Sequence, residues 1–267
     1  MGGEERAISL APMETIKSRD AGPCLVLDDL SIDFGGLRAV NGVNLTIRPG
    51  ERRVLMGPNG AGKTTLFNLV SGVYQASKGR ILFLGKDITP LPTYRRAELG
   101  IARTYQITNL FPKLTVEENI MMACQALTRS KFVMYRPLSS YRLLTERCHA
   151  LLKEFNLWEK RSELVKNLSH GYQRQIEVAM ALAEKPRLLL LDEPAAGLSS
   201  AETQSLTLLL KKLDPSITIL LIEHDMDVAF EFAERITVLY QGKLLTEGTK
   251  EEIKNNPTVQ EIYLGGE

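Results

Sequence analysis

Cysteine is scarce in this sequence of 267 residues, with only Cys24, Cys124 and Cys148. They lie far apart and form no C-x-x-C pair, which argues against a disulfide framework or a cysteine metal site and suits a reducing compartment. Long apolar runs are missing as well. The longest, 188–191 and 217–222, have the length of core strands and fall far short of the ~20 residues that cross a bilayer. Net charge is nearly absent: 33 Lys and Arg against 32 Asp and Glu leave +1, no electrostatic footprint for nucleic acid or an anionic membrane. The opening residues carry Glu4, Glu5 and Arg6 and lack the apolar stretch of a secretory signal. Residues 1–22, mixed and containing Gly and Pro, are expected to form a loosely ordered tail. There is no internal repeat and no low-complexity stretch. What remains is an ordinary globular composition, 44% hydrophobic and 24% charged, long enough for one large core or a core with an inserted block.

Against this plain background, residues 57–65 read Gly-Pro-Asn-Gly-Ala-Gly-Lys-Thr-Thr, and Gly57, Gly62, Lys63 and Thr64 fill the G-x-x-x-x-G-K-[ST] pattern of a P-loop. Pro58, Asn59, Gly60, Ala61 and Thr65 complete the segment. The apolar residues Val54-Leu55-Met56 before it predict a buried strand and 64–70 a helix, the setting the motif needs. Glycines let the backbone approach phosphate, and N–H groups at a helix N-terminus point at the anion. Lys63 is expected to bridge the outer phosphates and the Thr64 hydroxyl to hold a magnesium ion. The ligand this pattern implies is a nucleoside triphosphate.

Around the loop, residues 25–27, 30–34 and 43–47 have strand-like patterning, Pro49-Gly50 marks a turn, and 81–84 is a short strand closed by Gly85. From about 88 to 167 the texture becomes helical, with apolar residues at helical spacing over 94–100, 116–127 and 143–156. Residues 185–191 and 218–222 return to fully buried strands. Such alternation argues for a mostly parallel sheet covered on both faces, interrupted by an inserted helical block. The run 188–191 ends in Asp192-Glu193, two carboxylates at the carboxyl edge of the sheet, where open α/β folds bind ligands. Asp192 is placed to hold magnesium through water, and Glu193 to take a proton from an attacking water or orient it.

Upstream lie Leu168-Ser169-His170-Gly171-Tyr172, then Gln173-Arg174-Gln175 and a helix-like run over 176–183. Together with the P-loop and the Asp192-Glu193 strand, this set resembles the ATP-binding cassette (ABC) family, whose signature reads Leu-Ser-Gly-Gly-Gln. The sequence departs from that signature at His170 and Tyr172. The resemblance covers nearly everything from about residue 25 to 265. It implies an α/β P-loop NTPase fold with a mostly parallel sheet, an antiparallel β subdomain and an inserted helical subdomain. A single cassette would span 23–267, with the helical subdomain at about 90–167. By the same resemblance, Ser169, Gly171 and the N–H groups opening the next helix would grip the γ-phosphate of ATP bound on another subunit's P-loop. Gln106, in Arg103-Thr104-Tyr105-Gln106, matches the Q-loop glutamine, which contacts magnesium and the water region. His224, in Glu223-His224-Asp225, matches the switch histidine, and Phe34, in Asp33-Phe34-Gly35, the aromatic that stacks on adenine. Ala195-Ala196-Gly197-Leu198-Ser199 occupies the D-loop, with Ser199 where many relatives have Asp.

The resemblance further implies ATP and Mg2+ as cofactors, and hydrolysis of ATP coupled to transport. The implied partners are integral membrane permease subunits, a second cassette (a copy or a sister subunit) and, indirectly, a solute-binding protein, with no nucleic acid. The implied location is the cytoplasmic face of the cell membrane, as a peripheral subunit. Within the family, Phe34-Gly35-Gly36, Leu110-Phe111-Pro112, Ala195-Ala196-Gly197 and the closing Tyr263-Leu264-Gly265 are similar to the ATP-binding subunits of branched-chain amino acid importers. Leu168-Ser169-His170-Gly171 is also similar to urea-transporter cassettes. Leu110 and Phe111 are candidates to line a groove for a permease helix, or else simple core of the insertion. The alternative is a soluble single-cassette ABC ATPase, such as an iron–sulfur cluster assembly scaffold. A small-molecule P-loop kinase leaves 168–171 and His224 unexplained.

Overall fold

The computed structural model describes residues 22–104, 110–126 and 142–264. The chain opens on a hairpin of β1 (Leu25–Phe34) and β2 (Leu37–Ile47), turned at Gly35-Gly36. The two short strands expected over 25–27 and 30–34 are one strand. Asp29 adopts a left-handed φ of 48° and makes a bulge there, so both halves stay in the same ladder. After β3 (Arg52–Met56) and α1 (Lys63–Ser71), β4 (Lys78–Phe83) pairs back onto β1 and carries the short β5 (Lys86–Asp87). These strands form an antiparallel sheet in the order β2-β1-β4-β5.

The second sheet grows from β3. The chain passes through α2 (Thr93–Glu98), β6 (Ile101–Arg103), α3 (Val116–Ala126), α4 (Arg142–Glu154) and α5 (His170–Leu182) to β7 (Leu188–Asp192). It continues with α6 (Ser200–Lys211), β8 (Thr218–Ile222), α7 (Met226–Phe232), β9 (Arg235–Tyr240), β10 (Lys243–Gly248), α8 (Lys250–Lys254) and α9 (Pro257–Leu264). The sheet order is β10-β9-β3-β8-β7-β6, parallel throughout except for β10. The stretch 90–167 is therefore not uniformly helical, because β6 lies within it and is the edge strand of the parallel sheet. A three-residue strand has no periodicity to read; pairing with β7 makes it one.

All residues of β3, β7 and β8 are buried, and they send alternate side chains to opposite faces. Leu188 and Leu190 join Leu55, Phe67 and the antiparallel sheet in one core; Leu189 and Leu191 join Met56, Ile176 and α3 to α7 in the other. The helical layer follows the same rule. Val116, Ile120 and Cys124 on α3 meet Cys148, Leu151 and Leu152 on α4, each set at helical spacing. The three cysteines are buried free thiols, and burial pushes Cys124 up to about 11 and Cys148 to about 12. No described helix is long and apolar enough to cross a membrane.

Candidate nucleotide site

The carboxyl ends of β3, β7 and β8 bring the site residues together. At the end of β3, Gly57 has a φ of 150° and its missing Cβ would lie 2.3 Å from the Leu239 carbonyl oxygen. Gly62, at φ 99°, would place a Cβ 2.6 Å from the Ala39 oxygen. Both positions need glycine for conformation and for space. No side chain caps the start of α1, so its first N–H groups are open to an anion. Lys63 Nζ donates to the carbonyls of Gly57 at 2.7 Å and Pro58 at 3.1 Å, folding back over its own loop. Burial pushes the Lys63 ammonium below its usual range, and the negative charges of Glu193 and Asp192 pull it partly back. Thr64 is exposed beside it.

Asp192 closes β7 and is fully buried. Its Oδ2 accepts from Arg103 Nη2 at 3.0 Å, while Oδ1 is buried with no hydrogen-bond partner among the described residues. Arg103 also donates to Asn68 Oδ1 and Ser71 Oγ on α1, at 2.6 and 2.9 Å. Burial raises the Asp192 pKa, and the Arg103 guanidinium opposes that rise without cancelling it. The buried Asp192 carboxylate with one orphaned oxygen, and the Thr64 hydroxyl in the first turn of α1, are hard oxygen donors, the chemistry a magnesium ion takes. No group of three or more His, Cys, Asp or Glu forms a metal cluster among the described residues, so an ion here would complete its shell with phosphate and water.

Glu193 stands just past the strand at a left-handed φ of 46°, a strain of order 1 kcal/mol for a non-glycine residue. Its backbone is held on three sides: the N–H donates to Ile222 O at 3.1 Å, and its carbonyl accepts from Ala196 N and Arg174 Nη2, both at 3.1 Å. Arg174, on α5, also donates to the carbonyls of Asp192 and Pro194 at 2.9 and 3.1 Å. The half-buried Glu193 carboxylate lies 4.0 Å from His224 Nδ1. Next to His224, Glu223 is buried. Its Oε1 accepts from Ala195 N at 3.3 Å, its Oε2 has no partner among the described residues, and burial pushes its pKa up to about 7.

The Ser169 turn lies at the start of α5, with no side chain as cap. Ser169 Oγ donates to Glu202 Oε1 at 3.0 Å, and Gly171 N donates to the same oxygen at 3.2 Å. Glu202 closes a capping box with Ser199 at the start of α6. Phe34 is exposed at the tip of the first hairpin, edge-on to Tyr74 at 5.2 Å between ring centroids. Gln106 lies outside the described residues. A groove of about 320 Å³ runs between the helical layer and the sheet edge, lined by Ala97, Ile101, Arg103, Leu110, Ala123 and Met180. Leu110 lines this groove and also packs against the helical core, while Phe111 is exposed and pinned through its backbone to Asn119.

Motif reasoning named the loop, the carboxylates and the signature turn, but not Arg103, Arg174, Glu202 or Glu223. Glu202 stands in a Ser-x-x-Glu pattern with Ser199 that marks a helix start, but nothing local marks its contact with Ser169 or the contacts of Arg103, Arg174 and Glu223 with distant elements.

Residues 40–196 match the ABC transporter family, and residues 243–267 match the branched-chain amino acid ATP-binding cassette transporter family. Over 250 residues the chain is 40% identical to the high-affinity branched-chain amino acid transport ATP-binding protein BraF of Pseudomonas aeruginosa, covering 91% of this chain and 98% of that one. It is 41% identical, with the same coverage, to LivG of Escherichia coli K12, named for the same transport. Among solved structures, the ADP conformation of MJ1267, an ATP-binding cassette of an ABC transporter, has a TM-score of 0.81 at 29% identity, covering 91% of this chain and 99% of that one. A dimeric post-hydrolysis structure of the cassette MJ0796 bound to ADP and Pi has a TM-score of 0.71 at 28% identity, covering 85% and 98%. With a family match from residue 40 to 196 and a relative 40% identical along nearly all of its length, the chain belongs to the ABC transporter family and is an ATP-binding cassette ATPase.

Proposed function

We propose that the chain is the ATP-hydrolysing subunit of an importer for branched-chain amino acids or a related small polar solute. The observation that carries this reading is the match of residues 243–267 to the branched-chain cassette family, outside the general ABC region. The relatives described above are transport proteins, so the soluble scaffold alternative gains no support.

In this reading the triphosphate lies on the open N–H groups of α1, and Lys63 leaves the Gly57 and Pro58 carbonyls to meet the outer phosphates. A magnesium ion held by the Thr64 hydroxyl and, through water, by Asp192, with Gln106 as a further contact by the family resemblance, would neutralise phosphate charge. Glu193 Oε1 accepts the proton of the attacking water, and His224, 4.0 Å away, contacts the γ-phosphate. Phe34 offers its exposed face to adenine. The second cassette, a copy or a sister subunit, supplies Ser169 and Gly171 to the same γ-phosphate, so hydrolysis removes the contact that holds the pair closed. A short permease helix docks in the Leu110 groove at the cytoplasmic face of the membrane, and a solute-binding protein delivers cargo to the permease.

The test is affinity purification of the tagged chain from detergent-solubilised native membranes. Recovery of a polytopic permease, with or without a second cassette, is expected. Recovery only from the soluble fraction, with no membrane partner, would overturn the transporter reading.

A further inference from the structure

We propose that Glu202 sets the ATP threshold of cassette closure: in the open chain its carboxylate occupies the donors that must grip the partner's γ-phosphate. The inference rests on the head-to-tail sandwich proposed above and adds a residue that no motif of the site contains.

One oxygen of Glu202 accepts from both Ser169 Oγ and Gly171 N, at 3.0 and 3.2 Å. The other accepts from Ser199 N and Ser199 Oγ, at 3.1 and 2.9 Å. No Lys or Arg pairs with it among the described residues. Its charge is held only by hydroxyls, N–H groups and the positive ends of two helices, which together keep the carboxylate ionised below its usual pKa. Gly171 makes the contact possible, since a Cβ there would lie 2.5 Å from Glu202 Oε1. The same absence of a side chain is what a phosphate needs to reach that backbone N–H.

An anion already sits, therefore, where the γ-phosphate is to bind. Two negative groups cannot share one serine hydroxyl and one N–H, so closure on ATP requires Glu202 to withdraw. The γ-phosphate carries more charge and more acceptor oxygens than a carboxylate and displaces it. ADP, one phosphate shorter, presents no group at that position and leaves Glu202 in place. The capping box with Ser199 survives withdrawal of one oxygen, so α6 keeps its start.

The test uses the hydrolysis-arrested Glu193→Gln chain, alone or mixed with the cassette it pairs with in its membrane complex. ATP-driven dimerisation is followed by sedimentation velocity, with and without Glu202→Gln. Glutamine keeps the shape and the capping box but removes the charge. The ATP concentration for half-dimerisation should fall about tenfold, the worth of one charge-assisted hydrogen bond, while ADP, which brings no group to those donors, should still support no dimers. An unchanged or higher ATP requirement would overturn the role of Glu202, since a purely structural part predicts weaker closure. Absence of any ATP-dependent dimer in the Glu193→Gln parent would overturn the sandwich itself, and this inference with it. Thermal unfolding of both chains checks that the substitution leaves the fold intact. If Glu202→Gln does not fold, Glu202→Asp serves: its shorter carboxylate should also lower the ATP requirement, and an unchanged requirement would count against the role.

Discussion

The two half-sites of the proposed ATP sandwich are built differently. The P-loop half stands on the ends of β3, β7 and β8, strands buried along their whole length, and Asp192 is as buried as the leucines beside it. The Ser169 half is a helix start at the surface, held by one half-buried carboxylate. Moving Asp192 means breaking an ion pair inside the core. Releasing Ser169 means exchanging two surface hydrogen bonds for others. In the proposed mechanism, chemistry is thus anchored where the chain is stiff, and the sensing of a partner is left where local change costs little.

Glu193→Gln attacks the stiff half at its reacting group. The amide cannot serve as a base, so hydrolysis should fall by roughly 10³-fold while ATP binding persists; wild-type turnover would remove Glu193 from its role. Arg103→Ala probes the support beneath. It leaves the Asp192 charge buried without its partner, a loss of about 3 kcal/mol expected in urea unfolding. A loss under about 1 kcal/mol would mean that Asp192 has another way to be neutralised.

Glu223→Gln sharpens the comparison through pH. Burial raises the Glu223 pKa from 4.5 to about 7, so the folded chain holds this proton more tightly than the unfolded one. Its contribution to stability is complete below the unfolded value and is lost as pH rises through about 7. At pH near 8 the glutamine variant should be more stable than the parent by about 2 kcal/mol. The gap should close toward the unfolded value, as read by thermal melts across that window. A gap independent of pH would contradict a buried, proton-holding carboxyl. Ser199→Ala is the smallest perturbation, on the soft side. Losing this cap should cost about 1 kcal/mol or less, while an effect as large as that of Arg103→Ala would erase the contrast between the halves.

Much of the stiff half was legible in one dimension. A run such as Leu188 to Leu191, buried on both faces, has no polar alternation and can only be a central strand, and a P-loop is a covalent spacing that folds locally. The strand expected over 218–222 is β8 to the residue. The edges were harder to read. β6 borrows its identity from β7, and β9 and β10, which complete the sheet, carry no motif. That Leu110 lines a groove as well as packing on the core depends on how α3 and α5 leave space beside β6.

By itself the sequence determined the phosphate loop, the paired carboxylates at a strand end and the donors of the signature turn, because each is set by spacing within a few residues. Tertiary structure alone decided which charges meet. Arg103 reaches Asp192 across 89 residues, and Glu202 reaches Ser169 across 33. The parallel register that sets Asp192 beside Ile222 is what brings Glu193 within 4.0 Å of His224. Burial of apolar strands fixes that register, and polar groups carried along at the strand ends become neighbours that no local pattern records.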